Sequence, residues 1–235
     1  MKKSHIATLI VFLALIPLTL ILGSRLSGRA FYVTSTLVIV ELLIPFFLAF
    51  EGRRPQAREL VVLAVMCALA VAGRVAIPIP SFKAIFGIIM IAGIAFGPES
   101  GFLVGAISAL ASNFFYSQGP YTPWQMMAYG AGGMLAGFVF ARGRLPRKPV
   151  IMGIFGFLAV TFFVGPLLDT CSVFLVMSRI TLKGAMAFYI SGFPVNLRQA
   201  VATAIVLLAL GNPLLEKLDR IKTKYGILDD GGKEA

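Results

Sequence analysis

Apolar positions in this chain fall into long unbroken runs, with polar residues gathered between them. Runs of about 18 residues or more, enough to cross a hydrocarbon core of about 30 Å, recur from end to end. The first occupies Met1–Gly23, behind Lys2 and Lys3, and the second Phe31–Phe50. A cleaved signal peptide would have an apolar region of only about 7–15 residues, so the first run reads as a retained helix. Glu51–Arg58 is a charged connector and the main internal boundary. Further spans follow at Glu59–Ala76, Ala84–Phe96, Gly101–Phe115, Trp124–Ala141, Val150–Leu168 and Val195–Leu210, which makes eight. Ala84–Phe96 is short for a span. Asp169–Arg198 mixes apolar sequence with Arg179, Lys183 and an expected break at Gly192-Phe193-Pro194. Asn212–Tyr225 reads as a basic amphipathic tail lying on the membrane surface. Alternating segments of about ten residues, which an outer-membrane barrel needs, are missing. The fold class is therefore all-α, a polytopic helical membrane protein.

Charge changes this picture by setting a topology. Of 235 residues, 58% are hydrophobic and 13% charged, with a net charge of +11. The basic residues sit at the ends of the apolar runs, which argues against a nucleic-acid partner. With the N-terminus inside and eight crossings, fourteen of the 21 fall on the inner side: Lys2, Lys3, Arg53, Arg54, Arg58, Arg142, Arg144, Arg147, Lys148, Lys217, Arg220, Lys222, Lys224 and Lys233. The other seven, Arg25, Arg29, Arg74, Lys83, Arg179, Lys183 and Arg198, fall outside. This bias predicts both termini in the cytoplasm. It also brings Pro78–Lys83, Asn113–Gln125 and Asp169–Arg198 to the outer side. Cys67 and Cys171 imply no disulfide framework, and His5 is a flanking polar residue.

Candidate chemistry concentrates in Asn113–Gln125. Gly119, Pro120 and Pro123 are expected to set a tight turn there, because Pro fixes φ and Gly tolerates positive φ. Asn113, Tyr116, Gln118, Tyr121, Trp124 and Gln125 surround that turn with amides and aromatic faces. An interfacial aromatic belt accounts for the Tyr and Trp but not for the paired amides. Arg74, Asp169 and Arg198 lie near outer helix ends, where ionisable groups mark function by default. Snorkelling and helix capping remain the simpler readings of those three. Asn196 and Gln199 add amides to the same side. Together these residues can wall a site for a polar, partly planar molecule.

Other chemistries are not encoded by any recognisable motif. The sequence contains no Walker A loop, nucleophile elbow or cluster with metal-ligand spacing. Gly93-x-x-x-Gly97, Gly101-x-x-x-Gly105 and Gly133-x-x-x-Gly137 permit close helix packing, as does the glycine-rich run Gly130–Gly137. Ala64, Ala68 and Ala72 form a smooth stripe on one helix; internal packing and a docking face both fit it.

The segments Glu59–Arg74, Gly105–Asn113, Gly119–Gln125 and Gly192–Asn196, with the Lys217–Gly226 tail, resemble the substrate-binding S component of energy-coupling factor (ECF) vitamin transporters. The likeness covers Arg58–Gly226. It implies a six-helix S-component-like core at 57–226; the two extra transmembrane helices at 1–56 depart from the family's minimal core, and a polar tail follows at 227–235. It further implies a prokaryotic plasma-membrane location, a vitamin substrate bound near the outer face, a transmembrane T component and two ATPase subunits. No cofactor would belong to the chain itself; ATP would be used by the ATPases. Ala64 and Ala68 match the family pattern that meets the T component. The Gly119–Gln125 loop is most similar to the cobalamin-type members, with queuosine or pantothenate as alternatives. An enzyme acting on a lipid and a self-sufficient carrier are the rival classes.

Overall fold

The computed structural model describes residues 11–24, 30–52, 56–141, 143–177 and 179–226. Lys2, Lys3, His5, Arg25, Arg29, Arg53, Arg54, Arg142, Lys233 and the 227–235 tail lie outside the described residues. Among the described residues the chain forms eight continuous helical rods and no strand. Helix α1 is Ile16–Ser24, preceded without a break by a wider π-helical turn, Val11–Leu15. Next come α2 (Ala30–Gly52), α3 (Ala57–Val75), α4 (Ile85–Phe96) and α5 (Pro98–Tyr116). Helix α6 is Thr122–Ala136 and runs on through a π-helical turn, Gly137–Ala141. Helix α7 is Pro149–Val176, widened at Val160–Val164, and α8 is Leu182–Tyr225. This is an all-α polytopic bundle. Helices α7 and α8 each contain an 18-residue stretch, of mean hydropathy 2.3 and 1.6, long and apolar enough to cross a bilayer.

Helix α4 is the centre of the bundle. Its sequence, Ile85-Phe-Gly-Ile-Ile-Met-Ile-Ala-Gly-Ile-Ala-Phe96, is apolar on every side, and all of its residues are buried. A helix apolar all round belongs inside a bundle. Twelve residues span only about 18 Å, which suits an enclosed strut better than a lipid-facing span. Around it pack α3, α5, α6 and α8.

Glycine sets how closely these helices approach. A Cβ added at Gly101 would come within 2.5 Å of the Gly133 carbonyl oxygen, and one at Gly105 within 2.6 Å of the Gly130 nitrogen. Helices α5 and α6 therefore touch backbone to backbone. In lipid that is the main source of helix attraction, since apolar side chains gain nothing by leaving an apolar solvent.

Helix α8 departs from the sequence reading twice. No break occurs at Gly192-Phe193-Pro194: one helix of 44 residues, about 66 Å long, passes through Pro194 and Pro213. Where water is scarce, an interrupted helix would leave several backbone groups without partners, whereas a proline removes one. Gly192 serves close approach instead, because a Cβ there would collide with the Asp169 carboxylate. Thr181 Oγ1 caps the start by accepting from the Gly184 N–H at 3.2 Å, and Gly226, in the left-handed region at φ 59°, ends the helix. The second departure is the tail. Asn212–Tyr225 continues α8 against the core, with Leu215 and Leu218 buried and Lys222 Nζ donating to the Ala95 carbonyl at 2.7 Å. Arg147 joins this end by pairing with Asp219 at 3.3 Å and donating to the Ile94 carbonyl at 3.2 Å.

Helix α2 lies against the outside of this core, and α1 packs on α2. Phe46 stacks on Phe102 of α5 with ring centroids 4.1 Å apart, and Ile39 packs with Trp124 and Cys171.

Candidate functional site

Asn113–Gln125 is mostly helix end rather than loop. Asn113–Tyr116 closes α5, Ser117–Tyr121 makes the reversal, and Thr122 opens α6. The turn chemistry also differs from expectation. Ser117, not Gly119, takes a positive φ of 79°. Gly119 instead makes room for the Tyr121 ring, whose Cε1 would lie 2.5 Å from a Cβ.

Three segments distant in sequence meet here around a cavity of about 560 Å³. Arg74, Ser81, Lys83 and Ile85 line one side; Tyr116, Tyr121, Gln125 and Tyr129 come from the α5–α6 corner. The remaining wall is Leu168, Asp169, Cys171, Ser172, Leu175 and Val176 of α7, with Val195, Asn196 and Gln199 of α8.

Five of the nine residues expected around a ligand line this cavity: Tyr116, Tyr121, Gln125, Asn196 and Gln199. The other four stand off it for local reasons. Asn113 is fully buried in the α5–α6 contact, where its side chain bonds to its neighbours. Gln118 closes the end of α5, donating from Nε2 to the Leu110 carbonyl and accepting from Thr122 at Oε1, both at 2.9 Å. Trp124 is buried between Ile39 and Phe174, its ring stacked on Phe174 at 5.6 Å. Arg198 is exposed, because Asn196 and Gln199 share a face three residues apart and residue 198 points about 100° away from Gln199.

Arg74 anchors the network around the cavity. Its Nη1 donates to Ser112 Oγ and, at 2.9 Å, to Asn113 Oδ1. Its guanidinium lies 4.9 Å from the Tyr116 ring centre and 5.6 Å from that of Tyr129. Tyr116 Oη donates back to the Arg74 carbonyl at 3.0 Å. Stacked and multiply bonded in this way, Arg74 is held in place rather than snorkelling free. Lys83 Nζ donates to the Ile77 carbonyl and lies 6.0 Å from the Tyr116 ring. On the opposite wall Asn196 Nδ2 donates to Asp169 Oδ2 at 2.7 Å. Gly165 and Gly192 leave the space for that pair, since a Cβ at either would strike the Asn196 or Asp169 side chain. Ser81, Lys83, Tyr129 and Ser172 were not singled out from the sequence as site residues. Tyr129 alone had a usable signal: it stands four residues after Gln125, on the same face of α6.

A second hollow, apolar and about 750 Å³, runs between α3 and α5. Ala64, Ala68 and Ala72 line it and are exposed, so this chain does not pack them internally.

A helical membrane bundle with a ligand-sized chamber at one end, walled by apolar and polar side chains together, is the form of a solute-binding membrane subunit. Residues 55–216 match the family model described as the ECF-type riboflavin transporter, S component. The match covers well over half of the chain, which belongs to that family. It is thus a substrate-specificity subunit of an ECF transporter, a transporter subunit rather than an enzyme, and membership implies a T component, ATPases and a vitamin substrate. Helices α1 and α2 lie outside the matched residues. The expected cobalamin-type affiliation is corrected, because the matching family is the riboflavin type. Geometry gives the physical reason. Asn113 bonds to Gln125 and Gln118 to Thr122, so these amides are held within the protein instead of ringing a wide chamber, and about 560 Å³ suits a drug-sized ligand rather than a corrinoid. No curated protein and no solved structure matches the chain.

Proposed function

We propose that this chain captures riboflavin, or a close flavin relative, in the cavity bounded by α3, α6, α7 and α8 and hands it to a T component driven by two ATPases. The observation that carries the reading is the composition of the cavity wall in a member of the riboflavin-type family. Three tyrosines, Tyr116, Tyr121 and Tyr129, accompany two cations, two amides from Gln125 and Asn196, and the Asp169 carboxyl. A flat tricycle with a carbonyl-bearing edge and a polyhydroxylated tail suits such a wall: rings stack or pack edge-on, while amides and charges bond the heteroatoms. Gln199 adds a further amide, and Asn113 and Gln118 support the wall from behind.

In this proposal the cavity faces the outside of a prokaryotic plasma membrane and both termini lie in the cytoplasm, as the distribution of basic residues favours. Ala64, Ala68 and Ala72 receive the T component, since an exposed small-residue stripe lets a partner helix approach closely. ATP is consumed by the ATPases alone. The two transmembrane helices within 1–56 are additional to a six-helix core at 57–226.

Flavin fluorescence tests the proposal. Riboflavin added to the purified protein should be quenched with a Kd of about 1 μM or tighter, and right-side-out membrane vesicles should show the same quenching from outside. No quenching in detergent sinks the flavin assignment. Quenching in detergent but not in right-side-out vesicles reverses the orientation.

A further inference from the structure

The hydrogen bonds behind the cavity have a direction, and it is imposed by one cation. Arginine carries only donors, so whatever meets Arg74 must accept. Asn113, fully buried, turns Oδ1 to Arg74 Nη1 at 2.9 Å. The opposite amide orientation would aim N–H groups at a guanidinium. With Oδ1 committed, Nδ2 is left to donate, and it does so to Thr122 Oγ1 at 3.1 Å and to Gln125 Oε1 at 2.9 Å. Gln125 is in turn committed: its oxygen faces Asn113, so the group it has left for the cavity it lines is Nε2, a donor. Across the chamber the sense is reversed. Asn196 donates one Nδ2 N–H to Asp169 at 2.7 Å, and Asn196 Oδ1 and the second carboxylate oxygen stand on this wall as acceptors.

We propose that Arg74, acting through Asn113 as a positioning residue, fixes Gln125 as a hydrogen-bond donor into the cavity and so sets which way round the substrate binds. The ligand places an acceptor edge against Arg74 and Gln125 and its donor groups against Asp169 and Asn196. This rests on the flavin reading of the cavity, and for riboflavin it puts a ring carbonyl against Gln125 and ribityl hydroxyls toward α7 and α8.

Asn113→Asp reverses the relay at constant size. One carboxylate oxygen still satisfies Arg74; the other faces Gln125, whose amide turns over to donate and presents its oxygen to the cavity. Gln125→Glu keeps the Asn113 bond but likewise offers the cavity an oxygen. Each single variant should melt close to the parent and bind riboflavin at least tenfold more weakly in the fluorescence titration. In infrared difference spectra, the carbonyl stretch of riboflavin bound to the parent, lowered by the Gln125 donor, should rise in the residual complex with Asn113→Asp. The double variant sets two carboxylates face to face, so without any ligand its melting temperature should fall by more than the two single shifts combined. Either single variant binding riboflavin within twofold of the parent, or strictly additive melting shifts, overturns the relay. Should Asn113→Asp fail to fold, Gln125→Glu decides alone on its titration. A parent that binds no riboflavin overturns the flavin reading instead, and the ligand-free melting comparison still judges the relay.

Discussion

Two hollows share helix α3 and are built on opposite principles. Near the end of α3, Arg74 borders a chamber whose polar groups are bonded in a directed network. Ala64, Ala68 and Ala72 of the same helix border a smooth groove with hardly any polar lining. In the chamber, groups held in one orientation can discriminate between ligands, because a misdirected buried donor or acceptor costs about 1–3 kcal/mol. Orientation matters little in the groove, where only shape is available. Lipid competes for that surface on equal hydrophobic terms, so a partner must gain its affinity from close packing. One helix can therefore serve recognition on one face and coupling on another, and substitutions on the two should have separable effects.

The largest separation should come from the groove. Ala64→Trp combined with Ala68→Trp fills it with two indoles, and vitamin uptake in cells should be abolished together with recovery of the T component on purification. Riboflavin binding by the isolated variant should stay at the parental level. Transport that survives would place the docking face on another helix.

Arg74→Ala attacks the chamber and should have the next largest effect. It removes the donor to the buried Asn113 oxygen and the cation beside Tyr116 and Tyr129. Stability should fall by about 1–3 kcal/mol and riboflavin affinity by about tenfold to a hundredfold. Arg74→Lys should recover only part, since an ammonium cannot reproduce the planar fork. A lysine variant that matches the parent in calorimetry would show that charge alone suffices.

The smallest effect is expected at Trp124. Its ring stacks on Phe174 rather than facing the chamber, and its buried Nε1 has no hydrogen-bond partner among the described residues. Trp124→Phe keeps the stack and deletes the unpaired donor, so riboflavin affinity should change by less than about threefold. A loss beyond tenfold would mean that the indole reaches the ligand.

Much of the architecture was readable before any coordinates. Each of the eight apolar runs has its counterpart among the eight helical rods of the described residues, because backbone groups shielded from water must bond within their own segment. The glycine spacings marked helices able to pack closely, since only a missing Cβ allows two backbones to meet, but that α5 and α6 are the pair that meets came from the tertiary structure. Continuity of α8 was harder to see. Gly192 and Pro194 signal a break in water, and their meaning changes once Asp169 sits where a Cβ would have been.

The chemistry divided in the same way. Sequence alone identified amides, tyrosines and ionisable groups near one end of the bundle, because such side chains are too expensive in lipid to be incidental. Which of them open into the chamber is a matter of helix phase and of neighbours far away in sequence. Helix phase turned Asn113 and Trp124 inward to other helices and Arg198 outward, while it brought Tyr129 to the wall. The direction of each hydrogen bond was decided only by tertiary contact: Arg74 and Asn113 are 39 residues apart, and only their meeting compels one oxygen to face the cation and one donor to face the chamber.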